Sequence, residues 1–275
     1  KNTVAAAAQE KNHDAYGTPK SLFTLDQPMV KWNEFSAAGF DVPVSGVIYT
    51  LAQAPCCGVP VGGVDAGHID IDARGIYGWS TVFNPESVFP YKKNWLMPRK
   101  LPVANPILGL SVGGPSTQFR KTWVLAAKQY TDGSESDWCT EPYLDGRWAD
   151  PGTYKIDKLK SLKLDGVKPA DDIRYWGHYP VADLEYVTDA PVSVGMRVWS
   201  PFLPGDAVKS DTPAIVFEVH LRNTTMKIQN GTVALNFPGP LDAQEARGTE
   251  FARTTVNEDF KGVVVKCIGG NEYAL

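Results

Sequence analysis

Turn-forming residues punctuate the whole chain, with 25 glycines and 21 prolines in 275 residues, or about one position in every six. Long helices cannot survive that spacing, because each glycine costs backbone entropy and each interior proline removes a hydrogen bond and crowds the preceding turn. Many short strands are the expectation. Period-two alternation supports it in the second half of the chain. Val192, Val194, Met196 and Val198 take one side of an extended segment, and Ser193, Gly195, Arg197 and Trp199 take the other. Ile215, Phe217, Val219 and Leu221 alternate in the same way with Val216, Glu218, His220 and Arg222, and Val233, Leu235 and Phe237 share a third face. Further strands are predicted at 47–52, 68–73, 122–129, 183–188 and 262–268. Short helices are predicted only at 4–11 and 241–246.

So many half-apolar strands need a shared core, and two packed antiparallel sheets supply one. The fold class expected is all-β, a large antiparallel two-sheet β-sandwich with few short helices. A chain of 275 residues is long enough to bury a core of its own. Residues 132–168 are polar and weakly periodic, which reads as a loop-rich excursion.

Composition removes several function classes. The net charge is -4, and no Lys or Arg run exceeds Lys92-Lys93, so no nucleic-acid partner is expected. No apolar run approaches the roughly 20 residues that span a bilayer, so no transmembrane segment is expected and the protein reads as soluble. Compartment is left open. The four cysteines, Cys56, Cys57, Cys139 and Cys267, form no CxxC pair, and no paired histidines stand at ligand spacing. Neither a metal nor any other cofactor is expected. Buried thiols are favoured over disulfides here. Two sequons, at Asn223 and Asn230, would be glycan acceptors only in a eukaryotic secreted protein.

The segment at 60–84, PVGGVDAGHIDIDARGIYGWSTVFN, concentrates the candidate site residues. Gly62, Gly63 and Gly67 resemble a phosphate cradle, yet they lead into an alternating strand where a dinucleotide loop would lead into a helix. Tight backbone packing explains them better. His68, Asp70 and Asp72 line one face of that strand, roughly 7 Å apart, with Ile69, Ile71 and Ala73 on the core side. The polar row is read as a solvated or interface-facing surface, and Asp65 in the preceding turn as a cap for backbone N–H groups. His178 and His220 are read as hydrogen-bonded structural groups. Asp183, Glu185 and Asp189 are read as turn or surface carboxylates. The eight tryptophans are assigned mainly to core and interface packing.

A second segment at 174–213, RYWGHYPVADLEYVTDAPVSVGMRVWSPFLPGDAVKSDTP, carries the remaining signal. Together the two segments resemble the N-terminal domain of glycoside hydrolase family 116, which includes bacterial β-glucosidases and non-lysosomal glucosylceramidases. The resemblance runs over 58–275. Residues 1–57 are an N-terminal extension with the first strands, and they depart from the family pattern, as does 132–168. The resemblance implies a non-catalytic sandwich that braces a helical (α/α) catalytic domain, or a second polypeptide, continuing after Leu275. It implies a β-glucoside as substrate of the whole enzyme, hydrolysed with retention by carboxylates outside this chain. The chain ends in what reads as an opening strand, so a missing partner strand is expected. Gly62, Gly63, Asp65, His68, Asp70 and Asp72 are the expected pocket rim or domain interface, and no catalytic residue is expected. The alternatives are a carbohydrate-binding module and a purely structural subunit of a larger assembly.

Overall fold

The computed structural model describes residues 32–55, 57–80, 99–100, 105–113, 120–137, 158–237, 251–257, 261–267 and 272–274. In chain order the described strands are β1 (Asn33–Phe35), β2 (Val44–Gly46), β3 (Val59–Gly63), β4 (Gly67–Ile71), β5 (Tyr77–Ser80), β6 (Arg99–Lys100), β7 (Leu108–Gly113), β8 (Lys121–Val124), β9 (Glu135–Asp137) and β10 (Lys158–Lys160). They continue with β11 (Val167–Lys168), β12 (Asp172–His178), β13 (Val181–Val187), β14 (Val192–Trp199), β15 (Val216–Asn223), β16 (Asn230–Leu235), β17 (Phe251–Asn257), β18 (Lys261–Cys267) and β19 (Glu272–Ala274). One α-helix is described, α1 (Ala207–Ser210). The helices expected at 4–11 and 241–246 lie outside the described residues.

One layer of the sandwich is the antiparallel sheet β12-β13-β14-β15. The opposing layer comes as two sheets, β3-β4-β5-β6 and β11-β8-β7-β16, linked by a bridge between Ile76 and Pro106. β17, β18 and β19 form a sheet of their own. A single apolar cluster takes Val61, Ile69, Ile71 and Tyr77 from one sheet, Leu108, Leu110 and Trp123 from the second, and Ile173, Leu184, Met196 and Val198 from the facing layer. This is the shared core that the alternation predicts. Val192, Val194, Met196 and Val198 are all buried, and each such side chain contributes roughly 1.5–3 kcal/mol on leaving water. The corresponding faces of β15 and β16 are less enclosed, with Leu221 and Leu235 about half exposed.

Tyr175 ties the layers together through polar groups. Its hydroxyl donates to Ile71 O at 2.9 Å and accepts from Val59 N–H at 2.8 Å. Both contacts lie beside the core, so burial raises this phenol's pKa far above its ordinary value and the hydroxyl keeps its proton.

Three expectations are corrected. The strand expected at 47–52 is an isolated bridge, Tyr49 to Tyr175, followed by a 3-10 turn at Leu51–Gln53, because Asp172 Oδ1 takes the Leu51 N–H at 2.9 Å and draws the chain out of the ladder. The strand expected at 122–129 stops at Val124, where Ala127 N–H turns to Arg74 O and a 3-10 turn buries Tyr130. Within the excursion at 132–168, of which 138–157 lie outside the described residues, β9 pairs with β10 and β11 adds to β8 as a parallel strand, the other described pairings being antiparallel. Cys57 is exposed, not buried.

Candidate functional site

β3 and β4 form the glycine-rich hairpin, with Gly63 opposite Gly67 and a loop at 64–66. Gly62 adopts a φ of 145°, and a Cβ there would lie 2.2 Å from Gly67 O, so only glycine suits the position. At Gly63 a Cβ would lie 2.6 Å from Asp211 O. The glycines therefore serve close backbone approach, and the space is filled by protein.

The hairpin tip is fastened to the loop that follows β14. Val64 N–H donates to Ser210 O at 3.1 Å, and Asp65 N–H donates to Asp211 Oδ1 at 2.8 Å. The expected capping role is thus reversed: Asp65 is exposed, and Asp211 caps its backbone. Ser210 is buried and knits the same loop, its hydroxyl accepting from Leu203 N–H at 2.9 Å and lying 2.8 Å from Asp206 O. Asp206 caps α1 by accepting the Lys209 N–H at 3.0 Å.

Ile69, Ile71 and Ala73 face the core as expected, but the opposite row is not solvated. Asp70 and Asp72 are both buried. Asp72 Oδ1 accepts the Arg74 backbone N–H at 2.8 Å, and both carboxylate oxygens lie 3.1 Å from Arg74 Nη1. Burial pushes this carboxyl up from its ordinary value, and Arg74 only partly offsets the shift. His68 is half-buried, and burial lowers its imidazole pKa, which favours the neutral ring. The six candidates do not converge. Gly62, Gly63, Asp65 and His68 gather at the tip, whereas Asp72 sits about 13 Å along the strand, four residues at ~3.3 Å each, in the turn before β5.

A polar cluster on the outer face of β12–β15 carries more electrostatic structure than the hairpin, and sequence reasoning took its central acid for a surface group. Asp183 is fully buried. Arg197 grips it twice, Nε to Oδ1 at 2.7 Å and Nη2 to Oδ2 at 2.7 Å, and His178 Nε2 lies 3.2 Å from Oδ2. Burial alone would raise this carboxyl, but the hydrogen bonds from Arg197 and His178 outweigh it and hold it below the ordinary range. The His178 ring stacks on Trp176 at 3.7 Å between centroids. Arg197 Nη2 also donates to Ala38 O at 2.8 Å, fastening the β1–β2 hairpin, which packs Phe35 against Trp176. His178 has the structural role expected of it. Asp189 is a surface carboxylate as read, holding Trp123 Nε1 at 2.8 Å and paired with Lys168.

Among the described residues no group of His, Cys, Asp and Glu is arranged to hold a metal ion. No described helix is long and apolar enough to cross a membrane. Trp123 and Trp176 are buried and Trp199 is half-buried, so these three rings do not form an exposed platform.

The described residues define an all-β sandwich built from several antiparallel sheets. A family model described as "beta-glucosidase 2, glycosyl-hydrolase family 116 N-term" matches residues 58–272, and the chain belongs to that family. No curated protein matches the chain.

Proposed function

We propose that this sandwich is the non-catalytic part of a β-glycosidase, bracing a helical (α/α) catalytic domain that lies outside these 275 residues. One observation carries the reading: the described carboxylates with the right burial for acid chemistry are engaged by structural partners. Asp183 belongs to Arg197 and His178, Asp72 to Arg74, and Asp70 is engaged as well. Glycoside hydrolysis needs two carboxyl groups across an open site, about 5–5.5 Å apart for retention. Neither Asp183 nor Asp72 has exposed side-chain surface, so neither faces an open site.

The whole enzyme would hydrolyse a β-glucoside, which the match to a β-glucosidase family supports, and would do so with retention. In this arrangement Gly62, Gly63, Asp65 and His68 at the hairpin tip, with Asp70 and Asp72 further along β4 and in the turn after it, belong to the pocket rim or the domain interface. The domain assignment is 1–57 as an extension and 58–275 as the sandwich proper. A mechanism-based glycosyl label that traps a retaining nucleophile tests this. In the native enzyme the labelled peptide is expected outside residues 1–275; a label on any carboxylate within them would overturn the proposal.

A further inference from the structure

One end of the sandwich concentrates apolar side chains in water. Tyr179, in the turn between β12 and β13, is 49% exposed, and its ring meets that of Phe202, itself 41% exposed, at 5.5 Å between centroids. Leu203 follows at 45% exposed, Val208 on α1 at 85%, and Val64 at the glycine hairpin tip at 56%. These side chains come from three segments distant in sequence, and hydrogen bonds hold them together. Ser210 Oγ clasps Leu203 through both its N–H and its carbonyl, while Ser210 O takes the Val64 N–H.

Exposing this much apolar surface on fixed loops is costly unless something covers it. A loop free to move could turn Phe202 and Leu203 inward, but here the Asp206 cap, the Ser210 hydroxyl and the Asp211 bond to Asp65 set the backbone. Surfaces held in the bound conformation lose little entropy on association. The polar groups at this end are mainly acidic. Asp65, Asp206 and Asp211 stand beside Lys209, which pairs with Asp206 at 3.0 Å, so the net charge of the group is negative. A partner face that is apolar in its middle and carries Lys or Arg at its edge is therefore complementary.

We infer that this end, formed by the hairpin tip at 64–66, the turn at Tyr179 and the loop at 200–211, is the surface on which the catalytic domain seats. The inference rests on the function proposed above and names the contact that reading requires. Both segments that carry the family resemblance supply it, and it includes the hairpin tip assigned to the rim or interface. At the other end of β15, Met226 and Ile228 are also exposed, but they project from a polar bend built on Asn223 and Thr225. They serve as a control.

Hydroxyl-radical footprinting of the 275-residue chain and of the native enzyme that carries it reads side-chain exposure directly. Tyr179, Phe202 and Leu203 are expected to react at least fivefold more slowly in the native enzyme, with Met226 unchanged within twofold. Equal labelling of these residues in an enzyme that turns over a β-glucoside would overturn the surface and leave the proposed function standing. Protection at this end in a native protein without β-glycosidase turnover would overturn the occupant, and the functional reading with it. Phe202→Asp with Leu203→Asp provides a second arm. The doubly substituted enzyme is expected to lose activity at least tenfold faster on heating than Met226→Asp with Ile228→Asp, and matched half-lives would contradict the inference.

Discussion

Arg197 and Asp183 meet as a two-pronged pair across adjacent strands, both contacts at 2.7 Å, and Asp183 has no exposed side-chain surface. Removing the guanidinium strands a buried carboxylate. Arg197→Met should destabilise the fold by about 3–5 kcal/mol, the usual cost of breaking a buried pair from one side. It also removes the bond to Ala38 O, so protease cleavage near residues 36–43 should accelerate. Urea denaturation checks the first effect and timed proteolysis the second; a loss under about 1 kcal/mol, typical of exposed pairs, would show that the pair is not shielded as described.

The same pair gives a pH signature. Asp183 titrates below its ordinary value of 3.8, so the folded state binds fewer protons than the unfolded chain in that window. Its stabilising contribution is complete above the ordinary value and is lost as pH falls through the folded value. Asp72 has the opposite sign, since burial raises its pKa and its contribution weakens as pH rises from the ordinary value toward the raised one. The two separate in a difference profile. Stability of wild type minus Asp183→Asn should shrink below about pH 4; a difference that grew on acidification through that range would refute the assignment.

Tyr175 joins the two layers through one hydroxyl with two backbone partners. Tyr175→Phe leaves Val59 N–H and Ile71 O short of a partner at little cost in packing. The expected loss is about 1–3 kcal/mol, read as a lower urea midpoint at constant slope. A change in slope would instead point to a different extent of unfolding.

At the hairpin tip, Gly63→Ala should loosen the contact with the loop after β14, because the added methyl would lie 2.6 Å from Asp211 O. Asp211→Ala removes the acceptor for Asp65 N–H without steric conflict. Amide exchange at Asp65 should quicken in both variants, more in Gly63→Ala. An unchanged rate in Asp211→Ala would mean that this bond does not hold the tip.

What the sequence discloses follows from the range over which each interaction acts. The pleat sends Val192, Val194, Met196 and Val198 to one side by local geometry alone, and all four are buried. The same rule placed Ile69 and Ile71 in the core. It could not tell that the opposite row, Asp70 and Asp72, is covered too, because the cover comes from elsewhere in the fold. Asp183 is buried where a surface group is expected, for a related reason. Its partner lies 14 positions away and becomes its neighbour only once β13 and β14 pair with Asp183 opposite Arg197. Alternation had already put Arg197 on the outer face, so strand register was the missing information. The Asp211 bond to Asp65 spans 146 positions, and no local pattern foreshadows it.

The central claim is a division of labour, with this sandwich as scaffold and bond cleavage performed elsewhere. The most direct measurement is hydrolysis of an aryl β-glucoside by the purified chain of 275 residues, followed across about pH 4 to 8, the range in which paired carboxylates act as acid and base. The predicted result is release of the aryl group at the rate of buffer alone throughout. Sustained turnover that copurifies with the folded chain, follows a bell-shaped pH profile and disappears on substitution of one of its own carboxylates would contradict the account.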